Sequence, residues 1–348
     1  MKQSSKGGKY PFVSIIIPCR NEQRFIGSCV DSILESDYPA DKMEILVVDG
    51  QSTDDTASVV AGISSRDSRI RLIPNPKLIT AAAFNTGISE SKGEVVMILG
   101  AHSKIGGDYV SRCTKALFEL GADNVGGVLK TVPRNDTFLG RAIVRALSHP
   151  FGVGNARFRS GASHPIEVDT VFGGCYRREA LKRTGPFNEK LIYSQDIEFN
   201  IRFRMGGGII MLVPEIETTY FALTSFFPFL RHNWRNGKWS ILPFVYSPSF
   251  PVSPRHLIPL TFVLSLICSL TASLFWHRAI WITAVIAGSY TLSAVAAASQ
   301  IMAKEKDMRY LIVMPFMFAG LHLNYGLGSL WGVAQATALL IGRRGVRG

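Results

Sequence analysis

Three short apolar runs mark the first hundred residues: "VSIIIP" (Val13 to Pro18), "EILVVD" (Glu44 to Asp49) and "EVVMIL" (Glu94 to Leu99). Each is rich in β-branched residues and stopped by a polar or glycine-containing turn, the pattern of strands covered on both faces in a parallel sheet. Between them, "FIGSCVDSILES" and "TASVVAGISSR" carry apolar residues at helical spacing. The chain therefore reads strand, helix, strand, helix, an α/β layered architecture. "QSTDDTASVV" offers a start for the second helix, with Ser52 as its cap and Asp54 and Asp55 in a first turn whose dipole favours negative charge.

The pattern changes near residue 221. "FALTSFFPFLRHNWRNGKWSILPFVY" mixes aromatics with cations and contains no acid, the composition of a segment lying in a membrane interface. Residues 257–276 and 279–300 are then charge-free for the ~20 positions a spanning helix needs, and "WHR" joins them as a tight hairpin. Residues 311–341 are also charge-free but longer than a ~30 Å hydrocarbon core requires at ~1.5 Å per residue, and "HLNYGLG" interrupts them. They read as one tilted span or a broken pair. The expected domains are an α/β catalytic region over 1–220, an interfacial amphipathic segment over 221–256 and transmembrane helices within 257–348. Three spans leave "RRGVRG" outside, against the positive-inside tendency, and four return it inside; three is the expectation.

Composition supports a membrane protein. Of 348 residues 47% are hydrophobic, too many for an ordinary soluble enzyme, and the length allows two domains. The net charge of +12 does not form a basic tract with interleaved aromatics and no nucleic-acid module is present, so nucleic acid is excluded as a partner. After Glu217 the only acids are Glu305 and Asp307, whereas Arg231, Arg235, Lys238 and Arg255 stand upstream of the apolar stretches. That asymmetry marks an edge facing the cytoplasmic, anionic side of a membrane. Cys19, Cys29, Cys113, Cys175 and Cys268 are scattered without a C-x-x-C, which supports neither a disulfide framework nor a zinc site and suits a reducing compartment. Lys2, Lys6 and Lys9 precede "FVSIII", but Pro18, Cys19 and Arg20 stop that run before signal-peptide length. A transporter is disfavoured by the few spans and their lack of charge.

In an open α/β sheet, ligands bind beyond the carboxyl ends of the strands. The turn after the first strand reads "PCRNE" rather than G-x-G-x-x-G, which rejects a dinucleotide site. Taken alone, Asp49 followed by Gly50 is a turn former.

Five stretches change that reading. "VSIIIPCRNE", "ILVVDGQSTDDT", "FNTGISESKGEVVMIL", "FGGCYRREALKRTGPFNEKL" and "SQDIEFNIRFRMGGG" stand in the order and spacing of family 2 glycosyltransferases, and the chain resembles that family over about residues 12–215. With its membrane segments it looks like the exopolysaccharide-type members, such as the succinoglycan glucosyltransferases that extend a polyprenyl-diphosphate-linked sugar. The resemblance implies the GT-A fold, a Rossmann-like, mostly parallel sheet flanked by helices, followed by a C-terminal α-helical transmembrane region. It implies that Pro18, Arg20 and Glu22 line uridine and ribose, with Ser52 near them, and that Asp49 accepts a hydrogen bond from the base. Such a contact is chemically reasonable, since a carboxylate at a strand end can pair with an imide N–H.

The resemblance further makes Asp196 the catalytic base of an inverting transfer, taking the acceptor hydroxyl's proton as its oxygen attacks the anomeric carbon; at a helix start the dipole favours its ionised form. Glu198 is structural or acceptor-orienting. Arg177, Arg178 and Arg183 are either solvated surface or contacts for a diphosphate-carrying lipid. "RHNWRNGKW" sits where the family often has a Q-x-x-R-W-like segment, in altered arrangement, and offers Arg231, Trp234, Arg235 and Lys238 as acceptor or phosphate contacts.

Where the family has D-x-D, the chain has Gly100, Ala101 and His102. Gly100 and Ala101 take the nucleotide-sugar side of that motif and His102 its metal position. The ribose carboxylate is gone while a donor for a divalent cation, Mn²⁺ or Mg²⁺, remains; imidazole shifts the preference towards Mn²⁺. His102 as a hydrogen-bonded turn residue stays open, in which case Lys104, Arg231, Arg235 or Lys238 would meet the leaving-group charge. The expected function is a hexosyltransferase of the cytoplasmic membrane, integral and multi-pass with its catalytic domain in the cytoplasm. It moves sugar from a nucleotide-sugar, a UDP-hexose, to a polyprenyl-diphosphate-linked saccharide, with polysaccharide assembly proteins as further partners. The alternatives are a polyprenyl-monophosphate sugar transferase, which needs no strong base, and a non-catalytic subunit, which Gly100 keeps open.

Overall fold

The structure is a computed structural model that describes residues 10–247 and 253–345, without the side chains of 342–345. Lys2, Lys6, Lys9 and the end of "RRGVRG" lie outside the described residues. The chain forms two compact units, one of Met1–Lys130 with Gly161–Tyr220 and one of Thr131–Ser160 with Phe221–Gly348. Thr131–Ser160 thus leaves the contiguous 1–220 block expected from the sequence and packs with the C-terminal helices.

In the first unit, β1 (Val13–Cys19), β2 (Met43–Asp49), β3 (Ile70–Pro74) and β4 (Val95–Ile98) pair in parallel in the order β3-β2-β1-β4. Every residue of β2 is buried and in β1 only Pro18 is not. Such strands have no polar face because the helices Ile26–Leu34, Thr56–Ser64 and Thr80–Glu90 connect them across the sheet. Each fully buried Ile or Val contributes about 1.5–3 kcal/mol. Gly87 lets the third of these helices close on β1, since a Cβ there would stand 2.4 Å from Cγ2 of Ile16.

Beyond β4 the sheet turns antiparallel through β5 (Ser103–Ile105), β6 (Asn124–Pro133), β7 (Ile166–Glu167), β8 (Cys175–Arg177) and β9 (Ile210–Ala222). The order continues β4-β8-β6-β9-β5, with β7 also on β9. The sheet is therefore mixed, and the parallel part expected from the sequence is its N-terminal half. The later strands are short or half-exposed, and their partners are remote in sequence.

The second unit is helical. Phe138–Ser148 begins at Thr137, whose hydroxyl accepts from the Gly140 N–H at 3.0 Å. Phe226–Ile241 follows, and then three helices long and apolar enough to cross a membrane, Pro254–Ser273, His277–Glu305 and Arg309–Ile341. The last is one continuous helix, Arg309–Gly345, so "HLNYGLG" is no break. Its polar groups have partners in neighbouring helices: His322 Nδ1 lies 2.9 Å from the Tyr290 hydroxyl, and the Tyr325 hydroxyl 2.8 Å from His256 Nδ1. An apolar cluster built on Ala142, Phe229, Ala298, Met314 and Phe318 holds these elements together.

Candidate nucleotide-sugar site

The carboxyl ends of β2, β1 and β4 lie side by side, with Cys19 in register with Asp49 and Ile16 with Ile98. The turns leaving these strands are tied to one another. Buried Asp49 accepts the Ser52 N–H on Oδ2 at 3.0 Å and the Ser52 hydroxyl on Oδ1. That hydroxyl in turn accepts the Asn21 N–H at 2.9 Å. Asn21 Oδ1 accepts the Thr53 N–H at 2.8 Å, and the Thr56 hydroxyl accepts the Glu22 N–H at 2.8 Å. Ser52 is thus not the helix cap expected from the sequence. The helix starts at Thr56, whose N–H is met by Asp54 Oδ1 at 3.1 Å, because the Ser52 hydroxyl is already committed to Asp49 and Asn21.

Arg20 is exposed, and its side chain lies across Gly50, where a Cβ would stand 3.4 Å from the Arg20 Cβ. Pro18 is half-buried at the strand end. Five non-glycine residues among those described have left-handed backbone, and Asn21, Gln51 and Ser194 are three of them. Such strain concentrates where surrounding structure fixes a functional turn.

The triplet after β4 divides. Ala101 is 2% exposed and belongs to the core, so its side chain cannot meet a ligand, which corrects that expectation. The Gly100 carbonyl closes the turn by accepting from the Ser103 N–H at 3.0 Å, and a Cβ at Gly100 would stand 3.4 Å from Cζ of Phe172. His102 is gripped on two sides. Its Nδ1 lies 3.1 Å from Glu22 Oε1, and its ring meets Tyr220 edge-on at 5.1 Å. Phe172 in turn meets Tyr220 at 5.7 Å. An ionised Glu22 can only accept, so the bonded Nδ1 carries a hydrogen, and in the neutral imidazole Nε2 then holds the lone pair. Sequence reasoning placed Glu22 on the nucleotide and missed Tyr220, which reaches His102 through the pairing of Ser103 with Tyr220, and Phe172, which approaches Gly100 from the turn before β8; neither has a local signal.

Asp196 stands in the first turn of Gln195–Met205. Its side chain is solvent-accessible, yet protein surrounds it closely enough that desolvation raises its carboxyl above the ordinary range. The N–H groups of Ile197 and of Asp196 itself act in the opposite direction and are outweighed. The negative charge of Asp196 also acts on Tyr176, whose hydroxyl donates to the Gly173 carbonyl at 3.3 Å. Gly173, with φ of +67° and room for a Cβ denied by the Ile98 carbonyl at 2.2 Å, carries the chain from there past the end of β4. Glu198 is buried and paired with Arg202 at 2.7 Å, a scaffold contact.

The three arginines after "FGGCY" are scaffold too. Arg177 donates to the Ala122 and Leu117 carbonyls, Arg178 to Gly93 and Ser91, and Arg183 to Asp123. None is left to await an acceptor. Of the membrane-proximal residues, Arg231, Trp234, Arg235 and Lys238 share one helix of the second unit, where Arg235 is bonded to His232 Nδ1 at 2.9 Å.

All five cysteines are free. Cys19 sits 3.7 Å from Asp49 Oδ1 and burial pushes its thiol far up; Cys29, 3.7 Å from the Gly100 carbonyl, is pushed by burial to about 12. Two polar residues escaped the sequence reading. Buried Asn75, beyond β3, donates its N–H to the Asp49 carbonyl at 2.7 Å, and its Oδ1 has no partner among the described residues. Gln195 Oε1, beside Asp196, is likewise buried without one.

Residues 14–185 match the profile of glycosyl transferase family 2. They are a family 2 glycosyltransferase domain. The transferase is 28% identical over 235 residues to the dolichyl N-acetyl-α-D-glucosaminyl phosphate 3-β-D-2,3-diacetamido-2,3-dideoxy-β-D-glucuronosyltransferase of Methanococcus voltae, covering 65% of this chain and 72% of that protein. It is 26% identical over 249 residues to the succinoglycan biosynthesis protein ExoA of Rhizobium meliloti strain 1021, covering 71% and 74%. The mannosyltransferase PcManGT of Pyrobaculum calidifontis, solved with GDP-mannose and Mn²⁺, superposes with a TM-score of 0.55 at 21% identity over 93% of this chain and 88% of that one. The fold is GT-A, and the transferase carries three helices with the length and composition of membrane spans.

Proposed function

We propose that this transferase moves a hexose, with inversion, from a UDP-sugar to a polyprenyl-diphosphate-linked saccharide during polysaccharide assembly. It would act as a multi-pass protein of the cytoplasmic membrane with its catalytic unit in the cytoplasm. The observation that carries the reading is the convergence of Asp49, Arg20 and the Glu22–His102 pair on one edge of the parallel sheet in a family 2 domain. Relatives whose names state a dolichyl-phosphate-linked sugar and succinoglycan biosynthesis support the acceptor class.

In this reading Asp49 accepts from the base N–H, oriented by Ser52, while Pro18 and Arg20 flank the nucleoside. The acceptor hydroxyl oxygen attacks the anomeric carbon and gives its proton to Asp196. The bond from that carbon to the donor phosphate breaks, and the nucleoside diphosphate leaves with the electron pair. A carboxylate raised by desolvation is the stronger base for this step. No group of three His, Cys, Asp or Glu side chains among the described residues could hold a metal ion. His102 Nε2 fits a divalent cation only together with donor phosphate oxygens. The carboxylate–imidazole pair with Glu22 is the usual support of such a ligand. The cation, Mn²⁺ favoured over Mg²⁺ by the imidazole, would supply charge for the leaving phosphates. The test is Asp196→Asn in purified protein in lipid, given UDP-sugars and lipid-linked acceptor. Loss of transfer with donor binding intact supports the reading; near-normal turnover would instead favour attack by a phosphate oxygen that needs no base.

A further inference from the structure

The helix Phe226–Ile241 lies along the third candidate span, within the second unit. A Cβ at Gly320 would stand 2.9 Å from the Leu230 side chain, one at Gly328 2.1 Å from the Trp234 carbonyl oxygen, and one at Gly332 2.6 Å from that of Lys238. From the other side, a Cβ at Gly237 would stand 1.9 Å from the Tyr325 carbonyl oxygen. Position 230 meets 320, 234 meets 328 and 238 meets 332, so the two helices run side by side in the same direction with their backbones touching. Residues 320–332 form the middle of Arg309–Ile341. The first span meets the same stretch, since a Cβ at Gly326 would stand 2.3 Å from the Pro259 carbonyl oxygen. A helix lying flat on the membrane could not follow the middle of a span for three turns.

Its outward stripe is Phe227, Arg231, Trp234 and Lys238, at helical spacing. Phe227 is 77% and Trp234 36% exposed, Arg231 is exposed and Lys238 partly so. The unit's carboxylates are engaged elsewhere, Asp136 with Arg141, Glu305 with Arg145 and Asp307 with Arg309. Neither Arg231 nor Lys238 forms an ion pair among the described residues. Cations at the depth of a span are costly and mark functional sites. Charge complementarity at that depth calls for an anion carried by a lipid, because an aqueous nucleotide does not reach it.

We propose that Phe226–Ile241 enters the bilayer beside the third span as a re-entrant helix, and that Arg231 and Lys238, flanking Trp234, receive the phosphate of the lipid-linked acceptor. The acceptor half rests on the function proposed above; the depth does not.

The test uses two full-length proteins, one with Trp234 as its sole tryptophan and one with Trp331, which lies between Gly328 and Gly332 on the span. Both are placed in phosphatidylcholine vesicles brominated either near the headgroup or deep in the acyl chain. The expected result is the same depth preference for both tryptophans. Trp234 quenched only near the headgroup, with Trp331 quenched deep, overturns the re-entrant helix; both quenched only near the headgroup overturns the span itself. Polyprenyl phosphate added at a few mole per cent should then shift Trp234 emission, and an equal amount of phosphatidylglycerol should not. R231Q/K238Q should abolish the shift while UDP binding stays intact. An equal response to both lipids, or none, overturns the acceptor assignment.

Discussion

Replacing Glu22 by Gln separates two roles that its position allows. If Glu22 orients His102, the substitution removes the acceptor charge that holds Nδ1–H while leaving the side chain in place. Loss of such a supporting partner weakens metal affinity by about 10- to 100-fold. The His102 and Glu22 side chains are 27% and 19% exposed, so solvent screens the pair in part and the expected loss lies near the lower end, about tenfold or ~1.4 kcal/mol. The assay is titration of UDP binding by calorimetry with Mn²⁺ or with a chelator, alongside paramagnetic resonance of Mn²⁺ with and without UDP. Mn²⁺ should bind weakly without the nucleotide, since few protein donors are present, and E22Q should reduce only the Mn²⁺-assisted part. In a His102→Ala background E22Q should then cost nothing further. An E22Q loss that is equally large with chelator, or that adds fully to His102→Ala, would place Glu22 on the nucleotide and refute the orienting role.

Because the Asp196 carboxyl is raised by desolvation, the acid limb of kcat/KM should lie above the ordinary carboxylate range near ~3.9, activity falling as pH drops through the raised value; a pH–rate profile with donor saturating reads this directly. Asp49→Ala should weaken UDP binding and release Ser52 and Asn21 as well, so the loss in calorimetry should exceed that of Ser52→Ala. Gly237→Ala places a methyl 1.9 Å from the Tyr325 carbonyl oxygen and should cost roughly 1–3 kcal/mol or more, seen as a lowered Tm in detergent. Gly288→Ala, with nothing within 4 Å, should not lower it. Cys19 and Cys29 should resist iodoacetamide at neutral pH in the folded protein, since burial keeps both thiols protonated, and react on unfolding.

The sequence by itself determined three of the four strands in the parallel half of the sheet, all but β3, and the three apolar helices, because both signals are local. A buried parallel strand is a continuous apolar run and a span is a longer one, readable without knowing their neighbours. It also pointed to the strand ends to inspect, and the family resemblance picked out Asp49, Glu22 and His102 there. Tertiary structure decided what those residues do to one another. Glu22 and His102 are far apart in the chain and meet because β1 and β4 are adjacent. Tyr220 meets His102 through the antiparallel pairing of β5 with β9, and Phe172 approaches Gly100 from the turn before β8, neither with a periodicity of its own. Arg177, Arg178 and Arg183 look like free cations until their partners are seen, backbone carbonyls for the first two and the Asp123 carboxylate for the third. "HLNYGLG" reads as a break, because polar and glycine residues in an apolar run usually are one. In the folded chain its glycines admit a neighbouring backbone and its histidine and tyrosine find partners across helices. Hydrogen bonds and close packing between remote segments carry no mark in a single sequence, and they set the chemistry of this site.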